Sequence, residues 1–220
     1  MNFDLSRTIQ RDVYIGNYER AETKLVRSVL KPGMAVLDIG ANVGYYTALA
    51  AQIVGEHGRV FAIEPYPPNF HRLSAWISRN HVVQARAFNF AFGSAPGSAQ
   101  MFSAFAETDA PVMVAHNQPS VATVEVRTLD SCLREWNVDR VDFVKLDVDG
   151  SETAVLAGAA EALAERRISA VLCEFCDEWL TAVGSSSEAL WETFLRAGFR
   201  PAWPSTQMPS TRLFNQFFLL

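Results

Sequence analysis

Apolar residues come in short runs, each followed by a stretch whose apolar positions recur at helical spacing. Ala35-Val-Leu-Asp-Ile39, introduced by Pro32-Gly33, predicts a buried strand. Gly40-Ala-Asn-Val-Gly44 then turns the chain into a helical stretch over 45–53. Arg59-Val-Phe-Ala-Ile63 predicts a second strand that stops at Glu64-Pro65; Pro67 and Pro68 suit the entry of a helix reaching about residue 79. Further strands are predicted over 82–90, 143–147, 168–175 and 213–219, with helices over 151–166 and 187–197. A helix over 18–30 precedes the first strand. Strands alternating with helices in this way predict a largely parallel sheet covered on both faces. Residues 94–126 break the rhythm and predict a hairpin, 99–105 with 122–127, joined by a polar loop holding Pro111, His116 and Pro119.

Composition narrows the picture. A chain of 220 residues, 49% hydrophobic and 20% charged, is globular and long enough to bury one core without disulfides or metals. One domain over 1–220 is expected, since no linker-like stretch divides it. There is no run of 18 apolar residues and no apolar block near Met1, so neither a membrane span nor a signal peptide is predicted. A net charge of −5 argues against a nucleic-acid partner. Cys132 stands alone, and the Cys173–Cys176 pair closes a strand rather than opening a helix, so these cysteines are read as packing residues in a cytoplasmic protein.

The candidate chemistry begins at the glycine turn. A strand running into glycine and then a helix is where open parallel sheets dock nucleotide-like ligands. The spacing is G-x-x-x-G rather than the dinucleotide G-x-G-x-x-G, with Asn42 where a pyrophosphate needs a bare amide. Asp38 repels phosphate and suits an amino group. Glu64, 24 residues after Gly40, suits a ribose diol. Together these favour S-adenosylmethionine over NAD. In Asp142-Phe-Val-Lys-Leu-Asp-Val-Asp-Gly-Ser-Glu152, period-2 alternation puts Lys145, Asp147 and Asp149 on one side of a strand and its extension. Charges there are expensive unless paired or facing a pocket. The alternatives for Lys145 and Glu152 are an ion pair and a helix cap.

These stretches resemble the FkbM type of class I S-adenosylmethionine-dependent methyltransferases. The resemblance rests on Asp38-Ile-Gly-Ala-Asn-Val-Gly44 with Tyr45-Tyr46-Thr47, Glu64-Pro65 with Asn69, and Thr128-Leu-Asp130. It rests above all on Lys145-Leu-Asp-Val-Asp-Gly-Ser-Glu152 followed by Val155-Leu156-x-Gly158-Ala159, with Glu174 in a later strand. Asp149 departs from the family's usual glutamate by one methylene. The resemblance implies an α/β, Rossmann-like fold. Its seven-stranded, mostly parallel sheet has the order 3-2-1-4-5-7-6, with strand 7, over 213–219, antiparallel; the helices on both faces and the hairpin insert after strand 3 are those the pattern predicts. It also implies O-methylation of a small metabolite, natural product or saccharide, leaving S-adenosylhomocysteine.

The cofactor set is taken as Asp38, Gly40, Asn42, Gly44, Tyr45, Glu64, Pro65, Asn89 and Asp147. An alcohol needs help to lose its proton, and Asp147 is the first candidate base, with His116 second. Asp147, Asp149 and Glu174 would alternatively hold magnesium, but the preferred reading has no metal. Acceptor-side residues are taken as Tyr14, Tyr18, Glu19, Lys145, Asp149 and Glu174. The insert over 94–120 and the segment over 12–19, within an N-terminal helical segment 1–34, are expected to cover the pocket. Trp191 and the apolar tail are compatible with a homodimer. The competing functions are transfer to an amine nitrogen and a non-catalytic binding module. Asp147-Val-Asp-Gly150 lacks the Pro-Pro-aromatic stretch of base N-methylation.

Overall fold

The computed structural model describes residues 8–102 and 120–220. Phe105 and His116, together with their connecting loop, lie outside the described residues. The chain opens with α1 (Thr8–Tyr14) and α2 (Arg20–Val29), then alternates β1 (Ala35–Ile39), α3 (Tyr45–Val54), β2 (Arg59–Ile63), α4 (Pro67–Arg79) and β3 (Ala85–Phe88). Strands β4 (Ala91–Phe92), β5 (Gly97–Phe102) and β6 (Ser120–Arg127) follow, then α5 (Leu129–Glu135) and β7 (Phe143–Leu146). The rest comprises α6 (Glu152–Ala157), α7 (Ala160–Ala164), β8 (Ala170–Cys176), α8 (Asp177–Ala182), α9 (Ser187–Arg196), β9 (Arg200–Trp203) and β10 (Leu213–Leu219).

The main sheet has the order β3-β2-β1-β7-β8-β10-β9, parallel except for β10, which runs antiparallel to both neighbours. This is the expected order and the expected reversed strand. β1 and β7 are buried at every position because helices cover both faces, so they show no inside–outside alternation. Leu37, Ile39, Val144, Leu146, Cys173 and Phe175 face a core shared with Leu133, Val155, Trp191 and Phe194. Val36, Phe143, Leu172 and Phe217 face the opposite core, with Val26, Leu30 and Leu49. Asp38, Lys145, Glu174 and Asn215 fall in phase with this second set, so all four share one sheet face near the carboxyl ends of the parallel strands.

Three expectations change. The third strand is only Ala85–Phe88; the chain then leaves the main sheet, and β4 joins the hairpin in a separate sheet of order β4-β6-β5. The helix expected over 151–166 is two helices. At the break a Cβ on Gly158 would lie 2.1 Å from the Gly93 carbonyl oxygen, so this glycine lets the insert's root pack against α6. Asp130 then caps α7 by accepting the N–H groups of Glu161 and Ala162 at 2.9 Å each. Thr128-Leu-Asp130 thus works as a joint, with Thr128 capping α5. Finally, α5 and α8 have no counterpart in the sequence pattern, and β9 fills the sixth position that only the resemblance implied, all three being too short for a periodic signal. Among the described residues no helix is long and apolar enough to cross a membrane.

Candidate active site

The turn from β1 into α3 holds three left-handed backbones, Gly40 at φ +85°, Asn42 at +48° and Gly44 at +89°. Gly40 is required by the protein itself: a Cβ would lie 1.8 Å from the Asp147 carbonyl oxygen. The Asp147 N–H in turn donates to Ile39 O at 3.0 Å. The glycine turn and the end of β7 are therefore locked edge to edge.

Glu64, 4% exposed, clamps this turn. Its Oε2 accepts the Asn42 N–H at 2.7 Å and its Oε1 the Tyr66 N–H at 2.8 Å, leaving a free lone pair on each oxygen. Asn69 Nδ2 donates to Asn42 Oδ1 at 3.2 Å. Asn89 Nδ2 donates to the Glu64 and Pro65 carbonyls at 3.0 and 2.8 Å, so in this structure Asn89 holds the backbone that carries Glu64. Asp38 is buried and accepts the Thr47 hydroxyl at 2.5 Å. Burial pushes Asp38 up to about 6 and Glu64 up to about 7.

Lys145 sits at the centre. Its Nζ lies 3.0 Å from Asp147 Oδ2 and 3.3 Å from Asn215 Oδ1, and 5.4 Å from the centre of the Tyr46 ring. The lysine is 2% exposed, and Asp147, whose side chain keeps 23%, is the more open of the pair. Burial disfavours the ammonium, but Asp147, Glu19 and Glu174 face it and hold its pKa above the ordinary value.

The N-terminal segment reaches the same point. Glu19 caps α2 with a left-handed backbone, φ +39°, an unfavourable state for a glutamate. Its carboxylate accepts the hydroxyls of Tyr46 and Tyr18, and burial raises its pKa. Tyr45 turns toward this segment: its hydroxyl pairs with Thr23 Oγ1 at 2.8 Å and its ring meets Tyr18 and Tyr46 edge-on at 5.2 Å. Tyr14 is on α1 and 64% exposed.

Beyond Asp147, Asp149 (φ +48°) and Glu174 complete a group whose carboxylate oxygens lie within 4.8 Å of one another. Asp149 is pushed up to about 8 by burial and by Asp147, and Glu174 is raised by Asp147 and by burial. Such a group would receive a divalent cation or share protons. The acids around this one lysine outnumber it, so ionising all of them is unfavourable until a cationic ligand supplies opposing charge. That charge and the clamped glycine turn fit S-adenosylmethionine.

Among the described residues no histidine joins the cluster: His57, His71 and His81 are exposed. Cys132 and Cys173 are buried as packing residues, and Cys176 is half-buried. Sequence reasoning missed Thr47 as the Asp38 partner and Asn215 as the Lys145 partner. The one available signal for Asn215 was a polar pair, Asn215-Gln216, inside an otherwise apolar terminal strand.

The Methyltransferase FkbM domain matches residues 38–201 of this chain, from the glycine turn through β8 to the start of β9. The AMB antimetabolite synthetase AmbE of Pseudomonas aeruginosa is 26% identical over 78% of this chain, which spans 10% of that protein's length. The hexuronic acid methyltransferase AglP of Haloferax volcanii is 26% identical over 66% of this chain and 59% of its own length. Among solved structures, the methyltransferase FkbM of Methylobacillus flagellatus superposes with a TM-score of 0.59 and 16% identity. That match covers 100% of this chain and 56% of that one, and is a likeness of fold.

Proposed function

The chain belongs to the FkbM methyltransferase family of S-adenosylmethionine-dependent enzymes, and on that premise we propose that it methylates a hydroxyl oxygen of a small metabolite, natural product or saccharide. The observation that carries this reading is Asp147. It stands at the end of β7 against the glycine turn, held by a buried lysine and partly exposed to the crevice.

When bound, S-adenosylmethionine supplies a methyl group already activated by its sulfonium. The residues of this chain then have few tasks. The backbone over 40–44 and Asp38 would bind the methionine part, and Glu64, held by Asn89, would use its free lone pairs on the ribose hydroxyls. Tyr45, with its hydroxyl on Thr23, would act by fixing the helix start rather than by direct contact. Asp147 would hold the acceptor oxygen in line and take its proton. Asp149 and Glu174 would bind the acceptor beside it, and Tyr18, Glu19 and Tyr14 would close the N-terminal side. Residues 94–120 and 12–19 would select the acceptor, with His116 as an auxiliary base. A metal-free reaction is preferred because Lys145 already supplies positive charge at Asp147. This reading keeps the protein cytoplasmic, without a nucleic-acid partner, and compatible with a homodimer. Transfer to an amine is the second reading; the acid-rich site favours it in that carboxylates attract an ammonium.

The test is incubation with methyl-labelled S-adenosylmethionine and a protein-free extract of small molecules. Label in a methyl ether supports the proposal. Label on nitrogen moves the assignment to the second reading. Cofactor binding without any transfer would leave a binding module.

A further inference from the structure

The turn between β7 and α6 carries both aspartates of the site, and its backbone is held from three sides. Asp149 at φ +48° and Gly150 at φ +98° are both left-handed. An aspartate keeps that conformation only where its surroundings impose it. Gly150 is pressed against α8, since a Cβ there would lie 2.7 Å from the Trp179 carbonyl oxygen. Asp147 is locked to the glycine turn. On the third side, the N–H groups of Val148 and Gly150 converge on a single oxygen, Glu152 Oε1, at 3.1 and 3.3 Å.

Glu152 is the first residue of α6 and is 2% exposed. Backbone amides turned toward one point make a concavity that binds anions. Here the chain fills that concavity with its own carboxylate. An acid that merely favours a helix start needs no such burial to do so. Glu152 instead leaves Oε2 buried with no hydrogen-bond partner among the described residues, which is unfavourable and needs a reason.

Resting on the methyltransferase reading above, we propose that Glu152 is a positioning residue. Through the amides of Val148 and Gly150 it imposes the left-handed backbone of Asp149. It thereby sets how Asp147, Asp149 and Glu174 face the acceptor. It touches neither acceptor nor cofactor.

The experiment compares the full chain with Glu152→Ala and Glu152→Gln by residue-resolved amide exchange, with and without saturating S-adenosylhomocysteine. The alanine variant should exchange Val148 and Gly150 roughly tenfold faster or more, while Leu37 and Val171 in the central sheet stay protected. The glutamine variant keeps a carbonyl oxygen in place of Oε1 and should restore protection. Transfer of label from methyl-labelled S-adenosylmethionine to a protein-free extract should fall at least about tenfold with alanine and recover with glutamine, at unchanged S-adenosylhomocysteine affinity. If Glu152→Ala does not fold, Glu152→Asp, one methylene too short, takes its place. Unchanged exchange in the alanine or aspartate variant, or no recovery with glutamine, overturns the proposal. A wild type that transfers no label counts against the methyltransferase reading, and the exchange comparison still decides Glu152.

Discussion

Lys145 Nζ lies 3.0 Å from Asp147 Oδ2, with the lysine buried beneath and the aspartate partly open above. The two are separated by one residue on the same strand edge, so period 2 brings them to one face. The two differ in exposure: the lysine side chain keeps 2% and the aspartate side chain 23%.

Asp147→Asn keeps the shape and removes the proposed base. Turnover should fall by roughly 10²–10⁴, with cofactor affinity within a few-fold. Single-turnover rates and calorimetry measure the two halves, and full activity would refute the base role. Lys145→Met leaves the facing carboxylates without their cation and should destabilise the fold by about 3–5 kcal/mol, read by denaturant titration.

Chelation separates two uses of Asp147, Asp149 and Glu174. With proton transfer alone, EDTA followed by desalting leaves activity intact. Loss on EDTA with recovery on magnesium would assign the three oxygens, grouped within 4.8 Å, to a cation instead.

Both oxygens of Glu64 already accept backbone N–H groups, and the proposed ribose contact gives it a second task. Glu64→Ala should therefore weaken S-adenosylmethionine by roughly 10- to 150-fold, the effect of about 1.5–3 kcal/mol. It should also speed amide exchange at Asn42 and Tyr66. Glu64→Gln keeps one acceptor and should fall between. Wild-type affinity in the alanine variant would remove Glu64 from the cofactor site.

The fold was legible because buried parallel strands are short apolar runs, and Ala35–Ile39 and Phe143–Leu146 announce themselves that way. Asp38 and Lys145 stood out for the converse reason, as charges where the pattern demands apolar residues. What stayed hidden depends on contacts between distant segments. Nothing local says that Gly158 meets Gly93, so the helix over 151–166 read as unbroken. Nothing local says how deeply Lys145 is buried, so the sequence left both an acceptor contact and an ion pair open for it. For Glu152 the sequence left a helix cap as one alternative, and the Val148 and Gly150 amides that its Oε1 accepts carry no sequence signature.

Stability should run against the usual acid lability. Burial, with repulsion between neighbouring acids, holds Asp38 near 6, Glu64 and Glu152 near 7, and Asp149 near 8. The unfolded chain ionises the same groups near pH 4. Between these limits the folded state holds protons that the unfolded state has released, so stability falls as pH rises. The contribution is full below about pH 4 and is lost through about pH 6–8. The ligand-free protein should lose several degrees of Tm between pH 5 and pH 8. S-adenosylmethionine, being cationic, should raise Tm more at pH 8 than at pH 5 and release protons on binding. Scanning calorimetry checks both, and a Tm that climbs over this range would mean these acids are ionised when folded.

Gly158 tests whether the second sheet is tied to the reacting end of the molecule. Its missing side chain lets the Gly93 carbonyl approach α6, six residues after Glu152, while the Gly158 carbonyl accepts the Asp130 N–H at 3.0 Å. Gly158→Ala must push that carbonyl away, at about 1–3 kcal/mol. The strain falls on the root of β4 and β6, where Gly93 N–H also donates to Arg127 O at 2.9 Å. Amide exchange should therefore quicken in those two strands before the central sheet. With residues 94–120 as the proposed acceptor selector, KM for the acceptor should rise while cofactor affinity holds. Gly97→Ala, in the same sheet with open space at its Cβ, is the control and should change neither. Equal behaviour of the two variants would detach the insert from acceptor selection and return that role to the segment around Tyr18 and Glu19.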